Sequence, residues 1–257
     1  MSKPYPFFWY ELLTSDRAAA ERFYTQVVGW TAEPFSSSGP AYTVLKVGDR
    51  GIGGVMTMPE APAAAGAKPF WGGYILVPDT DAAAAAIEAA RGAIHHAPAD
   101  IPEVGRFAVV SDPQGAMFNL LKPNGPDQPP LAGGTTGTVG WHELYTTDEK
   151  AAFDFYAAQF GWREVRAMEM GEMGTYRVFD FGGGEMGNGG MMNHPQPGAP
   201  SSWLFYFNVD GIDAATERVK AGGGELLMGP MEVPGGSWVI QANDPQGARF
   251  ALVSLKR

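Results

Sequence analysis

The chain has 257 residues, 28 of them acidic and 18 basic, for a formal charge of −10 at neutral pH. That charge repels nucleic-acid phosphates and anionic membrane surfaces, and no cluster of Lys or Arg overrides it. The lack of cysteine excludes disulfides, thiolate metal sites and cysteine nucleophiles, and no apolar run reaches the roughly 20 residues of a membrane span.

In chain order, Phe7 to Leu13 is short, apolar and aromatic, and it runs into Thr14-Ser15-Asp16, a helix N-cap signature. The Ala-rich stretch from Arg17 places Ala20, Phe23, Tyr24, Val27 and Val28 on one face at helical spacing, with Gly29 set to end the helix. Residues 42–47 and 52–58 flank a Gly-Asp-Arg-Gly turn and read as a hairpin. After a Pro/Ala-rich connector the pattern starts again. Residues 70–77 read as a strand, Asp79 as a cap, 82–90 as a helix closed by Gly92, and 107–121 as a hairpin turning at Asp112-Pro113-Gln114-Gly115. The N-terminal 13 residues lack the apolar core and cleavage site of a signal peptide, so the expected location is cytoplasmic.

The chain then repeats itself. Trp9-Tyr10-Glu11-Leu12-Leu13-Thr14-Ser15-Asp16 returns as Trp141-His142-Glu143-Leu144-Tyr145-Thr146-Thr147-Asp148. Phe23-Tyr24 with Gly29-Trp30 returns as Phe155-Tyr156 with Gly161-Trp162, and Asp112-Pro113-Gln114-Gly115 returns as Asp244-Pro245-Gln246-Gly247. Each pair is offset by 132 residues. The sequence therefore predicts two copies of one domain, residues 1–122 and 139–257, joined by a Pro/Gly/Thr-rich linker over 123–138. Each copy holds two βαβββ-like units. The glycine-rich stretch 182–190 is longer than its counterpart; so few side chains imply a sharp bend or a close neighbour.

These blocks resemble the vicinal oxygen chelate superfamily, the glyoxalase, bleomycin-resistance and extradiol dioxygenase group, and within it the two-domain glyoxalase-like proteins. The resemblance covers nearly the whole chain. It implies an α+β fold of four βαβββ units forming two tandem domains, each with a sheet curved into an incomplete barrel. It implies little about activity, because one scaffold hosts isomerases, dioxygenases, thiol transferases and drug-sequestering proteins.

In metal-using members a His, Gln or Glu on the first strand of a unit, seven residues before the capping Asp, joins a Glu near the end of a last strand to hold a divalent ion. Here those positions carry Trp9, Trp141, Gly72 and Leu204, and Asn119 and Ala251. None is a good ligand for a Zn, Ni or Fe site. The four histidines do not repeat. His95 and His96 read as part of a polar connector, His194 as part of a Pro-rich loop, and His142 as facing away from Trp141. Each is expected to be solvated.

The repeated glutamates are more informative. Trp9, Glu11 and Leu13 share one face of their strand, as do Trp141, Glu143 and Tyr145. In the resembling fold that face lines the inside of the curved sheet. A carboxylate there, between aromatics, is expected to be desolvated and tuned toward acid–base work. The alternative is a structural role, with Glu11 and Glu143 paired to a cation such as Arg106, Arg177 or Arg249. Aromatics on the strands and methionines on the inner hairpins suit a flat or hydrophobic small molecule. Glu11 and Glu143 are thus the catalytic candidates, and Trp9, Leu13, Met56, Asn119, Trp141, Tyr145 and Met191 the pocket candidates.

The expected function is small-molecule binding without the usual metal tetrad, by sequestration or a metal-free lyase or isomerase step. Cofactors are expected to be none; the expected partner is a hydrophobic or aromatic organic molecule, with no nucleic acid and no membrane, on a monomer or homodimer. Two other readings stay open at this point: a metal-dependent glyoxalase I-like lyase or dioxygenase with ligands at other positions, and a non-catalytic interaction protein.

Overall fold

Asp16, Asp79 and Asp148 do what the sequence asks of them. Each accepts the backbone N–H three residues on, from Ala19, Ala82 and Ala151, and so starts a helix immediately after a strand. The computed structural model describes residues 4–35, 39–64, 66–126, 128–129, 131–182 and 184–257. The first unit runs β1 (Phe7–Thr14), α1 (Arg17–Val27), β2 (Thr31–Phe35), β3 (Tyr42–Val47) and β4 (Arg50–Thr57). A short helix α2 (Glu60–Ala64) leads to β5 (Phe70–Leu76), α3 (Thr80–Ala89), β6 (Ala93–Ile101), β7 (Gly105–Ser111) and β8 (Met117–Pro123).

The second half repeats this order: β9 (Val139–Thr146), α4 (Glu149–Phe160), β10 (Arg163–Glu169), β11 (Thr175–Asp180) and β12 (Gly189–Asn193), then β13 (Ser202–Asn208), α5 (Ile212–Ala221), β14 (Glu225–Val233), β15 (Ser237–Asn243) and β16 (Arg249–Ser254). The strands form two eight-stranded sheets of matching order, β2-β3-β4-β1-β5-β8-β7-β6 and β10-β11-β12-β9-β13-β16-β15-β14. Neither closes into a barrel. These are the four βαβββ units and the two tandem sheets expected from the sequence.

Packing divides the chain differently from hydrogen bonding. One compact unit holds Met1–Phe8, Gly73–Gln128 and His142–Trp203, and the other Trp9–Gly72, Pro129–Trp141 and Leu204–Arg257. Each therefore draws one βαβββ module from each half. The repeated words explain how. In one unit Trp71 Nε1 donates to the Tyr24 hydroxyl, which donates to Asp244 Oδ2. In the other, Trp203 Nε1 donates to Tyr156, which donates to Asp112. Trp30 and Trp162 close the pattern by donating to the backbone carbonyls of Gly137 and Tyr5, both at 2.8 Å. The Asp-Pro-Gln-Gly turns, which from the sequence are only turn chemistry, thus carry the buried acceptors of an exchanged clamp.

The outer strands β2, β6, β10 and β14 were not expected as strands from the sequence pattern. His95 and His96 sit on β6 rather than in a connector; His95 hydrogen-bonds Ser111 Oγ and His96 stacks on Phe107. Both are exposed, as expected, whereas His142 is not. It is 4% exposed and stacks on Phe7 at 5.2 Å, with Nδ1 2.8 Å from the Asn188 carbonyl. Burial drives its pKa down to about 4, so it is a neutral packing element.

Candidate functional site

Two glutamates sit on equivalent strands, each buried under a tyrosine from the neighbouring hairpin. In β1, Glu11 lies opposite Gly54 of β4, and Tyr42 of β3 lies opposite Met56. Tyr42 leans diagonally across Gly54 to hydrogen-bond Glu11, and its hydroxyl also accepts from Trp9 Nε1 at 3.0 Å. Burial, and then the Glu11 charge, push the Tyr42 phenol well above its ordinary pKa, so it stays a donor.

The second copy has the same construction. Glu143 of β9 lies opposite Gly190 of β12, and Tyr176 of β11 reaches across that glycine to donate to Oε1 at 3.0 Å. Oε2 accepts from Tyr145, two residues along the same strand, at 2.7 Å. Both glycines are required by contact: a Cβ at Gly54 would sit 2.1 Å from the Tyr42 hydroxyl oxygen, and one at Gly190 2.2 Å from the Tyr176 ring. This is the close neighbour that the bare glycine stretch implied.

Of the sequence candidates, Trp9, Glu11, Leu13 and Met56 share one face in one compact unit, and Glu143 and Tyr145 share one in the other. Met191 does not belong there. It pairs with Leu144 and is fully buried on the opposite face, whereas Met192 pairs with Tyr145 and takes the place assigned to Met191. Two insertions set this register: Glu143 matches Glu11 at an offset of 132, Tyr176 matches Tyr42 at 134, and Gly190 matches Gly54 at 136, so the chain gains two residues before β11 and two more between β11 and β12. Asn119 is buried on β8 beside Tyr74 of β5, and Trp141 is half-buried on β9.

Tyr42 and Tyr176, the side chains that hold the glutamates, were missed. Their signal was present as a tyrosine in each hairpin opposite a Gly-Gly pair, but reading it requires the strand register. Two of the cations proposed as glutamate partners, Arg106 and Arg177, are engaged with other carboxylates. Arg106 bonds Asp81 and Asp100, Arg177 bonds Glu149 and Glu164, and Arg249 donates to Gln241, whose amide donates to Tyr206 at 2.8 Å.

Among the described residues no three His, Asp or Glu side chains converge as ligands, and both Glu143 oxygens accept phenolic hydrogen bonds. The residues present do not fit a metal site of the family type. A concavity of about 410 Å³ lies elsewhere, against Pro4, Pro6, Pro78 and Pro123, and is lined by neither glutamate.

The model of the Glyoxalase/Bleomycin resistance protein/Dioxygenase superfamily matches residues 7–120 and 138–252. The chain is 33% identical over 247 residues to "Putative glyoxylase CFP32" of Mycobacterium tuberculosis, covering 95% of this chain and 93% of that one. It is 30% identical over 266 residues to anthracycline biosynthesis protein DauV of Streptomyces sp. strain C5, covering 96% and 92%. Among solved structures, the Mn(II)-bound glyoxalase of Novosphingobium aromaticivorans superposes with a TM-score of 0.69 at 14% identity, covering 100% of this chain and 84% of that one. The 2,3-dioxygenase LapB of Pseudomonas sp. KL28 gives 0.65 at 15%, covering 99% and 93%. At such identities these two speak for the fold alone.

Proposed function

Since the chain belongs to the Glyoxalase/Bleomycin resistance protein/Dioxygenase superfamily, we propose that it binds a small, flat organic molecule on its two glutamate-bearing sheet faces, without a metal ion. The observation that carries this reading is the phenol-held carboxylate, Glu143 between Tyr145 and Tyr176, with its counterpart Glu11 beneath Tyr42. A carboxylate offers about four lone-pair sites, so one that accepts two phenols can also accept from a ligand hydroxyl. Met56 and Met192, beside these glutamates, adapt to an apolar skeleton. The relative named for anthracycline biosynthesis supports a polycyclic aromatic ligand.

Sequestration needs nothing more than this binding. Where the bound molecule is a carbon acid, Glu143 or Glu11 is the group to take a proton from the carbon next to a carbonyl. Returning it to a neighbouring atom completes an isomerisation; expelling a group from the β carbon completes a lyase step. The absence of fit for a divalent ion supports the metal-free form of the reaction over the glyoxalase I-like or dioxygenase form.

The test is a titration with 1,8-dihydroxyanthraquinone in the presence of EDTA, followed by calorimetry and by the shift in melting temperature. The reading expects saturable binding and a rise in melting temperature, since a ligand of the native state must stabilise it. Glu143→Gln should retain binding and lose any turnover. Binding that appears only when a divalent metal is supplied would overturn the reading.

A further inference from the structure

The second half carries a run of methionines that the first half lacks. Residues 31–41 join Trp30 to Tyr42 with no methionine among them, whereas residues 163–175, two longer, join Trp162 to Tyr176 and hold Met168, Met170 and Met173. In both halves these residues lead through an antiparallel pair, β2 with β3 and β10 with β11. Pairing of the two strands therefore does not require the Met168-Glu169-Met170-Gly171-Glu172-Met173 run.

Local geometry lines the three methionines up. Met168 lies opposite Tyr176 and Glu169 opposite Thr175, and the Met170 N–H extends the ladder to the Gly174 carbonyl at 2.8 Å. Strand alternation thus gives Met168 and Met170 the same face. The chain next makes one 3-10 turn, Gly171–Met173, in which the Met173 N–H donates to the Met170 carbonyl at 3.3 Å. Residues three apart eclipse in such a turn, so Met173 comes back over Met170. The strip is open to solvent: Met168 is half-buried, Met170 is 40% exposed and Met173 49%.

Side chains so exposed gain little from packing, but as ligands they form a distinct set. A thioether is a soft donor that suits Cu(I), whereas harder divalent ions take imidazole, carboxylate or water. Glu169 and Glu172 alternate with the methionines and make the strip attractive to a cation. The chain has no cysteine, so no thiolate competes for a soft ion. We propose that Met168, Met170 and Met173 form a thioether site for a soft monovalent cation, Cu(I) or its analogue Ag(I). The site is separate from the glutamates, and it rests on neither the small-molecule reading nor the exclusion of a divalent ion.

The test uses the whole chain, isotope-labelled at the methionine methyl carbons and followed by NMR. It is titrated with silver nitrate in chloride-free buffer, and then without oxygen with Cu(I) supplied as its acetonitrile complex. The methyl signals of Met168, Met170 and Met173 should move together and level off at about one ion per chain. Those of Met117, Met186 and Met231, which are equally exposed, should stay in place. Met170→Leu and Met173→Leu keep the apolar volume at exposed positions, and each should abolish the plateau; Zn(II) should move none of the three signals. Three outcomes would overturn the site: equal shifts of all the exposed methionines, an unchanged plateau in both leucine variants, or no response to either ion, which would leave the strip a plain apolar surface.

Discussion

Tyr24 on α1 donates its hydroxyl to Oδ2 of Asp244, 220 residues further along the chain, at 3.1 Å. The same bond joins Tyr156 to Asp112. Each aspartate also uses Oδ1 to hold its own turn, accepting from the backbone of Gln246 and Ala248 in one copy and of Gln114 and Ala116 in the other. Asp244→Ala therefore strands three donors, two of them in fully buried bonds. It should cost about 3 kcal/mol, and Tyr24→Phe about 1 kcal/mol. Urea titration checks this; an Asp244→Ala midpoint no lower than that of a surface Asp→Ala variant would show that the clamp contributes nothing.

Acid should loosen the fold through His142. Its pKa falls from 6.5 to about 4 on burial, so the unfolded chain binds the proton more readily. The stability that neutral His142 contributes is complete above about pH 6.5 and is lost as pH falls toward 4, about 3 kcal/mol in all. Asp112 and Asp244 work in the other direction. Burial raises both carboxyls, so their contribution is complete below the unfolded value near 3.9 and fades as pH rises through the folded one. Chemical denaturation from pH 7 to 4 should show a decline that His142→Phe flattens. An unchanged slope in that variant would remove His142 from the explanation.

Gly54→Ala and Gly190→Ala should each displace the tyrosine that covers the glycine. The added methyl would stand about 2 Å from the Tyr42 or Tyr176 phenol, and overpacking of this kind costs about 1–3 kcal/mol. Ligand affinity should fall as much in Gly190→Ala as in Tyr176→Phe, because both release Glu143 from the same hydroxyl. Full affinity in Gly190→Ala with loss in Tyr176→Phe would mean that the tyrosine reaches Glu143 by another route.

The helices were legible in the sequence because Asp16, Asp79 and Asp148 are local signals, each capping the N–H three residues on. The tandem architecture was legible because the Trp-Tyr-Asp clamp constrains residues from both halves, so its words repeat. The outer strands were not. β10, with the burial of its side chains mostly exposed, and β2, with Pro34 inside it, lack the alternation that a half-buried strand displays. The glutamates could be named from the strand pattern alone, but their tyrosine partners depend on a diagonal contact across a glycine, and Met192 rather than Met191 depends on extra residues divided between two successive connections. Such facts belong to register, which turn geometry and connection length set together with the hydrophobic pattern, so that one strand read alone does not reveal them.

The most direct test of a metal-free, glutamate-centred site is elemental analysis of the protein purified without chelator or affinity-tag metal, expressed as ions per chain. The account predicts a value near zero in a preparation that still binds 1,8-dihydroxyanthraquinone. About one equivalent or more of Mn, Fe, Ni or Zn per chain, with binding lost on its removal, would contradict it and place the chemistry with the metal-using members of the family.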